Sequence, residues 1–449
     1  MEVDSKKIFY DIFDVENLHK HYEEKIKIKP TVGIDNVNLR VFDKDKDSVI
    51  ERISYRVFTE TYKFSSYKEK LISKGKNKFP RIISIPTLRD KLTLSLIKDY
   101  LLALFPEANM PVSHSMINEI SIISKTSNYD YILKYDIKTF FDSINHHKLI
   151  SILELNIHKS VLNLIIKAIR NDTKNSNDIL YKKITNTKGV PQGLPISNIL
   201  ASIYLLEFDK IYKTNTCISY FRYVDDILIF TSNKNKKKIK ESIEDNIENK
   251  FLLELNPEKH LENTINEGFS FLGYSFNDKL ISVRKNSVLK LERSLEKIFL
   301  DYIHTNPKKI KSYEIFLYLL NLRISGCIKN NKKYGWLFYF SQINDISLLF
   351  RLDNLINTFA KRFNISLQEN DCKIKKFVRA YNEITKNLHN SRYIINFDNF
   401  LIEEKKIFLT DIIGMKNVEN KLEKDINYLF DKYVFIKIKE LEKDIQSFS

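Results

Sequence analysis

The chain has 449 residues, 43% of them hydrophobic and 12% aromatic, so it can bury a sizeable core and is not a disordered segment. Its formal net charge of +16 favours a polyanionic partner, although part of that excess goes with a high Lys, Ile and Asn content. The well-separated Cys217, Cys327 and Cys372 exclude a disulfide framework or zinc spacing; no apolar run nears roughly 18 residues and no apolar signal core follows Met1, so a reducing cytoplasm and no membrane are expected.

Residues 1–30 carry an amphipathic helical pattern that breaks at Pro30-Thr-Val-Gly-Ile-Asp, and helical spacing resumes over 46–62. Lys74-Gly-Lys-Asn-Lys-Phe-Pro-Arg81 predicts a basic loop, followed by a strand over 82–86 and a helix over 90–104. Residues 131–137 predict a strand that closes on an acid, Asp136. A helical pattern fills 146–171. Gly189-Val-Pro-Gln-Gly-Leu-Pro is a turn-rich loop, and Ser197 is placed to cap a helix over 199–212.

Residues 219–230 set two apolar runs, rich in Tyr, Phe, Ile and Val, around the adjacent acids Asp225 and Asp226. That pattern predicts a β-hairpin with both acids at its tip. An isolated Asp-Asp pair is more often a solvated turn. Inside an apolar strand pair, two charges about 4 Å apart cost roughly 4 kcal/mol at an effective dielectric of about 20. A buried or half-buried pair therefore needs a cation or a proton.

Residues 234–250 predict a helix that is basic first and acidic later, an order opposed to its dipole. Phe269-Ser-Phe-Leu-Gly-Tyr-Ser-Phe276 predicts a compact aromatic strand pair or turn. From 283 onward the pattern is almost wholly helical with Lys-rich faces. Shifts near 280 and 345 divide the chain into 1–280, 281–345 and 346–449.

Acids from different strands, Asp136 and Asp225, can converge to hold two Mg²⁺ ions, which prefer carboxylate and phosphate oxygens. Such a pair, about 4 Å apart, can activate a 3′-hydroxyl and stabilise a leaving pyrophosphate. Such chemistry also needs a grip on a triphosphate, a floor under base and sugar, and a grip on the primer.

The motifs supply these in order, and the chain resembles a reverse transcriptase of the prokaryotic type, related to group II intron and retron enzymes. Lys134-Tyr-Asp-Ile-Lys-Thr-Phe-Phe-Asp-Ser-Ile144 resembles the first palm motif, Gly189-Val-Pro-Gln-Gly-Leu-Pro-Ile-Ser197 the Pro-Gln-Gly motif, and Tyr223-Val-Asp-Asp226 the Tyr-x-Asp-Asp box. Leu255-Asn-Pro-Glu-Lys259 resembles the Lys motif and Phe271-Leu-Gly-Tyr274 the primer-grip turn. Arg81-Ile-Ile-Ser-Ile-Pro86 with Thr87-Leu-Arg-Asp-Lys91 resembles the fingers, and Gly33-Ile-Asp-Asn-Val the segment before them.

The resemblance implies an α+β right-hand polymerase: fingers and palm with an antiparallel sheet in 1–280, a helical thumb in 281–345, and an all-α C-terminal extension in 346–449. It implies an RNA-directed DNA polymerase with two Mg²⁺ ions on Asp136, Asp225 and Asp226, joined by the backbone carbonyl of Ile137. Arg81 would bind the triphosphate of the dNTP, with Lys76 and Lys78 as helpers or plain solvated lysines. Gln192 would bond the sugar or base region, and Gly193 would allow close approach. Phe141 stands at the steric-gate position that favours dNTPs, and one of Phe140 and Phe141 should be core. Lys259 either protonates the pyrophosphate or is a surface lysine. Tyr223 would support the primer end, and Gly273 and Tyr274 would grip the primer.

Departures narrow the type. Pro-Gln-Gly-Leu-Pro-Ile-Ser stands where intron-type enzymes usually read Pro-Gln-Gly-Gly followed by Ser-Pro. No Cys-rich endonuclease module follows, and the Asn-Ala-x-x-His and Val-Thr-Gly segments of retron enzymes are not found. What remains resembles bacterial defence-associated reverse transcriptases and abortive-infection relatives. The segment 325–340 resembles one class, the third, which works beside a second reverse transcriptase and a non-coding RNA. Partners implied are an RNA template, a DNA product strand, dNTPs, and a second reverse transcriptase or another copy of the chain. Two other readings stay open: protein-primed or untemplated DNA synthesis, and an RNA-binding, intron maturase-like factor. Trp336, beside Lys332 and Lys333, either stacks on a base or anchors a core. His146-His147 reads as structural or surface, without a metal role.

Overall fold

The computed structural model describes residues 4–73, 75, 79–126, 129–175, 185–303, 312–367 and 374–445. The chain divides into two units, Met1–Pro111 with Tyr129–Glu262, and Val112–Asn128 with Asn263–Ser449.

Strands of the first unit are β1 (Tyr67–Ile72), β2 (Arg81–Ile85), β3 (Tyr131–Asp136), β4 (Thr173–Lys174), β5 (Ile218–Tyr223), β6 (Asp226–Thr231) and β7 (Leu261–Thr264). The hairpin expected over 219–230 is β5 and β6, and the sheet order is β5-β6-β3-β7. β6 lies antiparallel between β5 and β3. Every residue of β6 from Ile227 onward is buried, so this strand is covered on both faces. That explains why its apolar residues run on instead of alternating. Helices Leu88–Leu104, Lys159–Ile169 and Ser197–Tyr204 share one core with this sheet.

β1 pairs antiparallel with β2, from Lys68 opposite Ile85 to Ile72 opposite Arg81, and parallel with β4. Lys76 and Lys78, in the basic loop joining β1 to β2, lie outside the described residues. The helix expected over 90–104 runs Leu88–Leu104 and is capped by the Thr87 hydroxyl, which accepts from the Asp90 N–H. The pattern over 146–171 is two helices, His146–Glu154 and Lys159–Ile169, the second capped by His158.

Ser197 is not a cap. It lies in the first turn of Ser197–Tyr204, and its hydroxyl donates to the Pro191 carbonyl at 2.6 Å. The backbone turns helical at Ile196, ahead of the expected position, so the serine bolts the preceding loop instead. The charge order of helix Lys236–Asp245 also finds its reason. Lys236 and Lys240 stand 2.8 and 3.0 Å from the Glu262 carboxylate, which these lysines hold at a pKa of about 2. Bound to an anion, they no longer oppose the helix dipole as free charges.

The second unit opens with helix Ser113–Thr126, which interrupts the sequence of the first unit. His114 Nε2 donates to the Phe338 carbonyl at 2.8 Å, and Gln342 Nε2 donates to the His114 carbonyl at 2.6 Å. β8 (Phe269–Phe271), β9 (Tyr274–Asn277) and β10 (Leu280–Val283) form an antiparallel sheet. Helices Lys285–Ile303, Tyr313–Ser325, Ile346–Arg362, Phe377–Lys386 and Glu423–Glu442 fulfil the helical pattern beyond 283. A short sheet of β11 (Cys327–Lys329), β12 (Lys332–Tyr334) and β13 (Ile395–Asn396) interrupts it. Trp336 is 1% exposed and packs on Phe340 at 4.9 Å between ring centroids, so it is a core anchor. Cys217 is exposed and Cys327 buried, both free, and Cys372 lies outside the described residues. No helix among the described residues is long and apolar enough to cross a membrane.

Candidate active site

The strand register assembles the acids. Asp136, the last residue of β3, stands opposite Asp226, and Tyr223 stands opposite Asp226 on the other side. Opposed antiparallel residues have Cα atoms roughly 4.5–5.5 Å apart. Val224 and Asp225 are left as the turn between β5 and β6.

Val224 has φ 58°, a left-handed conformation that costs a β-branched residue about 1–3 kcal/mol. The bonds that hold it are visible. Arg222 Nη1 donates to the Val224 carbonyl at 2.9 Å, and the Ile137 N–H donates to the Asp225 carbonyl at 3.1 Å. Arg222 is itself buried and clamped by Asp209, whose Oδ1 accepts from Arg222 Nε and from the Tyr220 hydroxyl, each at 2.7 Å. Sequence reading missed both residues. An arginine inside an apolar strand was the signal, since a buried guanidinium needs a partner. The partner, on helix Leu206–Lys213, carried no signal of its own.

Asp136 is 5% exposed. Its Oδ1 accepts from Lys259 Nζ at 2.7 Å, its Oδ2 from Asn256 Nδ2 at 3.2 Å, and its carbonyl from the Asn256 N–H at 2.8 Å. Lys134 Nζ is 3.9 Å from Asp226. Asp225 is pushed up to about 6, first by burial and then by the charges of Asp226 and Asp136. The site therefore holds more negative charge than its lysines neutralise.

Among the described residues, no three His, Cys, Asp or Glu side chains are gathered closely enough to hold a metal ion. Asp136 is instead turned onto Lys259. The donor chemistry nonetheless fits a hard divalent cation: carboxylate oxygens on paired strands, with one member destabilised as an anion by the other two.

The surrounding residues fall into groups. Phe140 is core at 3% exposure, and Phe141 is half-buried beside it, with ring centroids 5.7 Å apart. The Phe141 carbonyl accepts from the Val190 N–H at 2.7 Å, and the Gly189 carbonyl accepts from His146 Nε2 at 2.7 Å. These bonds fasten the Pro-Gln-Gly loop to the segment after β3. The loop also docks on β2, where the Ser84 N–H donates to the Gln192 carbonyl at 2.7 Å. Gly193 has φ +100°, and a Cβ there would stand 2.6 Å from Ile83 Cγ2 and 3.0 Å from the Ser84 carbonyl. The close approach at Gly193 is thus to β2. Arg81 begins that strand and is half-buried. Tyr223 is half-buried beside the turn.

Gly273 and Tyr274 belong to the second unit, at the turn from β8 to β9. Gly273 has φ 81°, and the buried Tyr274 donates its hydroxyl to the Tyr339 carbonyl.

Asp136, Asp225 and Asp226 all fall within residues 72–276, which match the family described as reverse transcriptase (RNA-dependent DNA polymerase). Residues 72–276 thus match a reverse transcriptase domain, and the fold there is the palm fold of that family, mixed α and β with antiparallel sheets. Among curated proteins it is similar to the group II intron-encoded protein LtrA of Lactococcus lactis subsp. cremoris, with 24% identity over 338 residues, 60% of this chain and 55% of that protein. It is also similar to an uncharacterized 91 kDa protein in cob intron of Schizosaccharomyces pombe, 30% identical over 195 residues, 41% of this chain and 23% of that protein. The chain spans between 22% and 55% of the length of such relatives. Among solved structures, apo telomerase from Candida tropicalis, truncated from its C-terminal domain, is 19% identical, covering 53% of this chain and 60% of that chain, with a TM-score of 0.41.

Proposed function

We propose that the protein is an RNA-directed DNA polymerase that extends a DNA strand from dNTPs on an RNA template. The observation that carries this reading is the register placing Asp136 opposite Asp226, with Asp225 in the adjoining turn, inside the stretch matching reverse transcriptases. Asp136, Asp225 and Asp226, with the Ile137 carbonyl, would hold two Mg²⁺ ions. Bound there, the ions supply Lewis acidity toward the attacking 3′-hydroxyl and charge stabilisation of the leaving pyrophosphate.

The chain's own residues do the rest. Asp225, which gives its proton to solvent above about pH 6, would serve as a ligand. Lys259, in contact with Asp136, is near enough to the acids to hand a proton to the pyrophosphate. Arg81 grips the triphosphate through a guanidinium fork suited to phosphate oxygens. Gln192, on the loop docked to β2, bonds the sugar or base region. Phe141 is the gate against a ribose 2′-hydroxyl, since Phe140 is committed to the core. Tyr223 supports the primer end, and the turn at Gly273 and Tyr274 grips the primer. Residues 1–280 act as fingers and palm, 281–345 as thumb and 346–449 as an RNA- or protein-contacting extension.

The Pro-Gln-Gly-Leu loop and the helical C-terminal extension support a role in antiviral defence, working in the cytoplasm with a non-coding RNA. The likeness to an intron-encoded protein supports a second reading, an RNA-binding intron factor in which synthesis is secondary.

The test is dNTP incorporation on a primed RNA template by wild type and Asp225→Ala, with sequencing of the nucleic acids that copurify. Incorporation should vanish in the variant, and complementary DNA should accompany a specific RNA only in the wild type. Equal incorporation by both proteins would sink the proposal.

A further inference from the structure

Helices Ile346–Arg362 and Phe377–Lys386 of the second unit flank a cavity of about 740 Å³. Small-molecule sites range over about 300–1,000 Å³. On its wall stands Lys375, which the polymerase reading leaves without a task. Its backbone N–H donates to Asn321 Oδ1 at 2.7 Å, its amine reaches Ser325 Oγ at 3.2 Å, and the same amine lies 5.4 Å from the centroid of the Tyr393 ring. It makes no salt bridge among the described residues, and burial lowers its pKa to about 8. A largely buried amine with no acid beside it among the described residues favours an anion that can reach it.

The cavity's own acids do not meet that need. Asp353 accepts from the N–H groups of Phe377 and Val378 at 2.6 and 3.3 Å. Glu383 accepts from Asn387 Nδ2 at 3.0 Å and stands 3.9 Å from Arg379 Nε. Lys376 and Lys386 also line the cavity and form no ion pair among the described residues. Among the described residues lining the cavity, Lys375, Lys376, Arg379 and Lys386 outnumber the acids Asp353 and Glu383, which are already engaged. Opposite them, Phe350 lines the cavity while 58% exposed, and the amides of Asn354 and Asn357 lie on the same helix one and two turns further along. An exposed ring to stack on and amides to bond base edges are how single unpaired bases are held.

We propose that this cavity binds a nucleoside phosphate, with the phosphate against Lys375, Lys376 and Arg379 and the base against Phe350, Asn354 and Asn357. A free nucleotide and one unpaired nucleotide of an RNA present the same chemistry. The site does not depend on the polymerase reading, because none of its residues belongs to that machinery.

The experiment is equilibrium dialysis of the full chain in EDTA, which suppresses metal-dependent nucleotide binding at the acids. Labelled AMP and UMP, a single-stranded RNA hexamer and inorganic phosphate are the probes. A mononucleotide should bind near one equivalent, and inorganic phosphate should compete only at tenfold higher concentration or more. Lys375→Met should weaken the nucleotide at least tenfold. Phe350→Ala, a change at an exposed ring that keeps the protein folded if Lys375→Met does not, should weaken it at least threefold and leave phosphate competition unchanged. Hexamer binding with that same dependence on both variants, without mononucleotide binding, would uphold the site and assign its ligand to RNA. Binding indifferent to both variants, phosphate as effective as nucleotide, or no binding of any probe would overturn it.

Discussion

Asp209→Ala tests whether the acidic turn is held from beneath. The substitution leaves Arg222, 8% exposed, without its carboxylate, and the Tyr220 hydroxyl without its acceptor. Removing one partner of a buried ion pair costs about 3–5 kcal/mol, most of it from the charge left behind. The lost tyrosine bond belongs to the same network and is not added separately. A unit of this size loses about 2–4 °C of melting temperature per kcal/mol, so a drop of roughly 6–20 °C is expected. Arg222 would also release the Val224 carbonyl, and with it the strained turn that positions Asp225. Misplacement by about 1 Å can cost about 100-fold in rate. Asp209→Asn keeps the shape and one acceptor oxygen but not the charge, and should fall between wild type and alanine. The assays are thermal unfolding and hydrogen exchange over residues 218–231, followed by dNTP incorporation. A shift under about 2 °C with unchanged exchange protection would refute the reasoning, because Arg222 would then be satisfied without Asp209.

Three further outcomes are expected. Asp225 is held near 6, above its ordinary value of 3.8, so between these pH values the folded chain binds its proton more tightly than the unfolded chain does. Without divalent ions, stability should therefore fall as pH rises from about 4 to about 6, by on the order of 3 kcal/mol, and level off above; Asp225→Asn should abolish the slope, and unfolding midpoints across pH with and without Mg²⁺ would check it. Gly193→Ala should destabilise by about 1–3 kcal/mol and raise the KM for dNTP, because a Cβ would meet Ile83 in a backbone conformation alanine avoids; steady-state kinetics and melting report both. Phe141→Ala should raise rNTP use with little loss of stability, whereas Phe140→Ala should cost about 3–5 kcal/mol; unchanged rNTP discrimination in the first variant would place the gate elsewhere.

The acidic hairpin was legible because apolar runs on both sides of Asp225 and Asp226 admit few other structures. Asp136 was legible for the same reason, as the acid closing an apolar strand. Phe140 and Phe141 could not be told apart, since adjacent rings at the edge of a short helix differ only in which way the backbone turns. The clamp of Asp209 on Arg222 was hidden because nothing local ties an acid on one helix to an arginine on the next strand. The lysines of helix Lys236–Asp245 looked misplaced until Glu262 was found beside them. Ser197 misled because serine suits both a cap and a bond back to a loop carbonyl. Gly193 was read as room for a substrate, yet the crowding there comes from β2.

Helix Ser113–Thr126 has a bearing on how the chain is made. It emerges in the middle of the first unit's sequence, yet its buried residues Met116, Ile117 and Ile120 belong to the second unit. Its bond from Gln342 spans 228 residues. At a synthesis rate of about 5–20 residues per second, the apolar stripe waits roughly 10–45 s for that partner to leave the ribosome. During this interval the nascent protein presents a bare amphipathic segment between two halves of a forming unit. A chaperone that binds apolar surface would find it there, and any fragment ending before residue 263 would carry that exposure permanently.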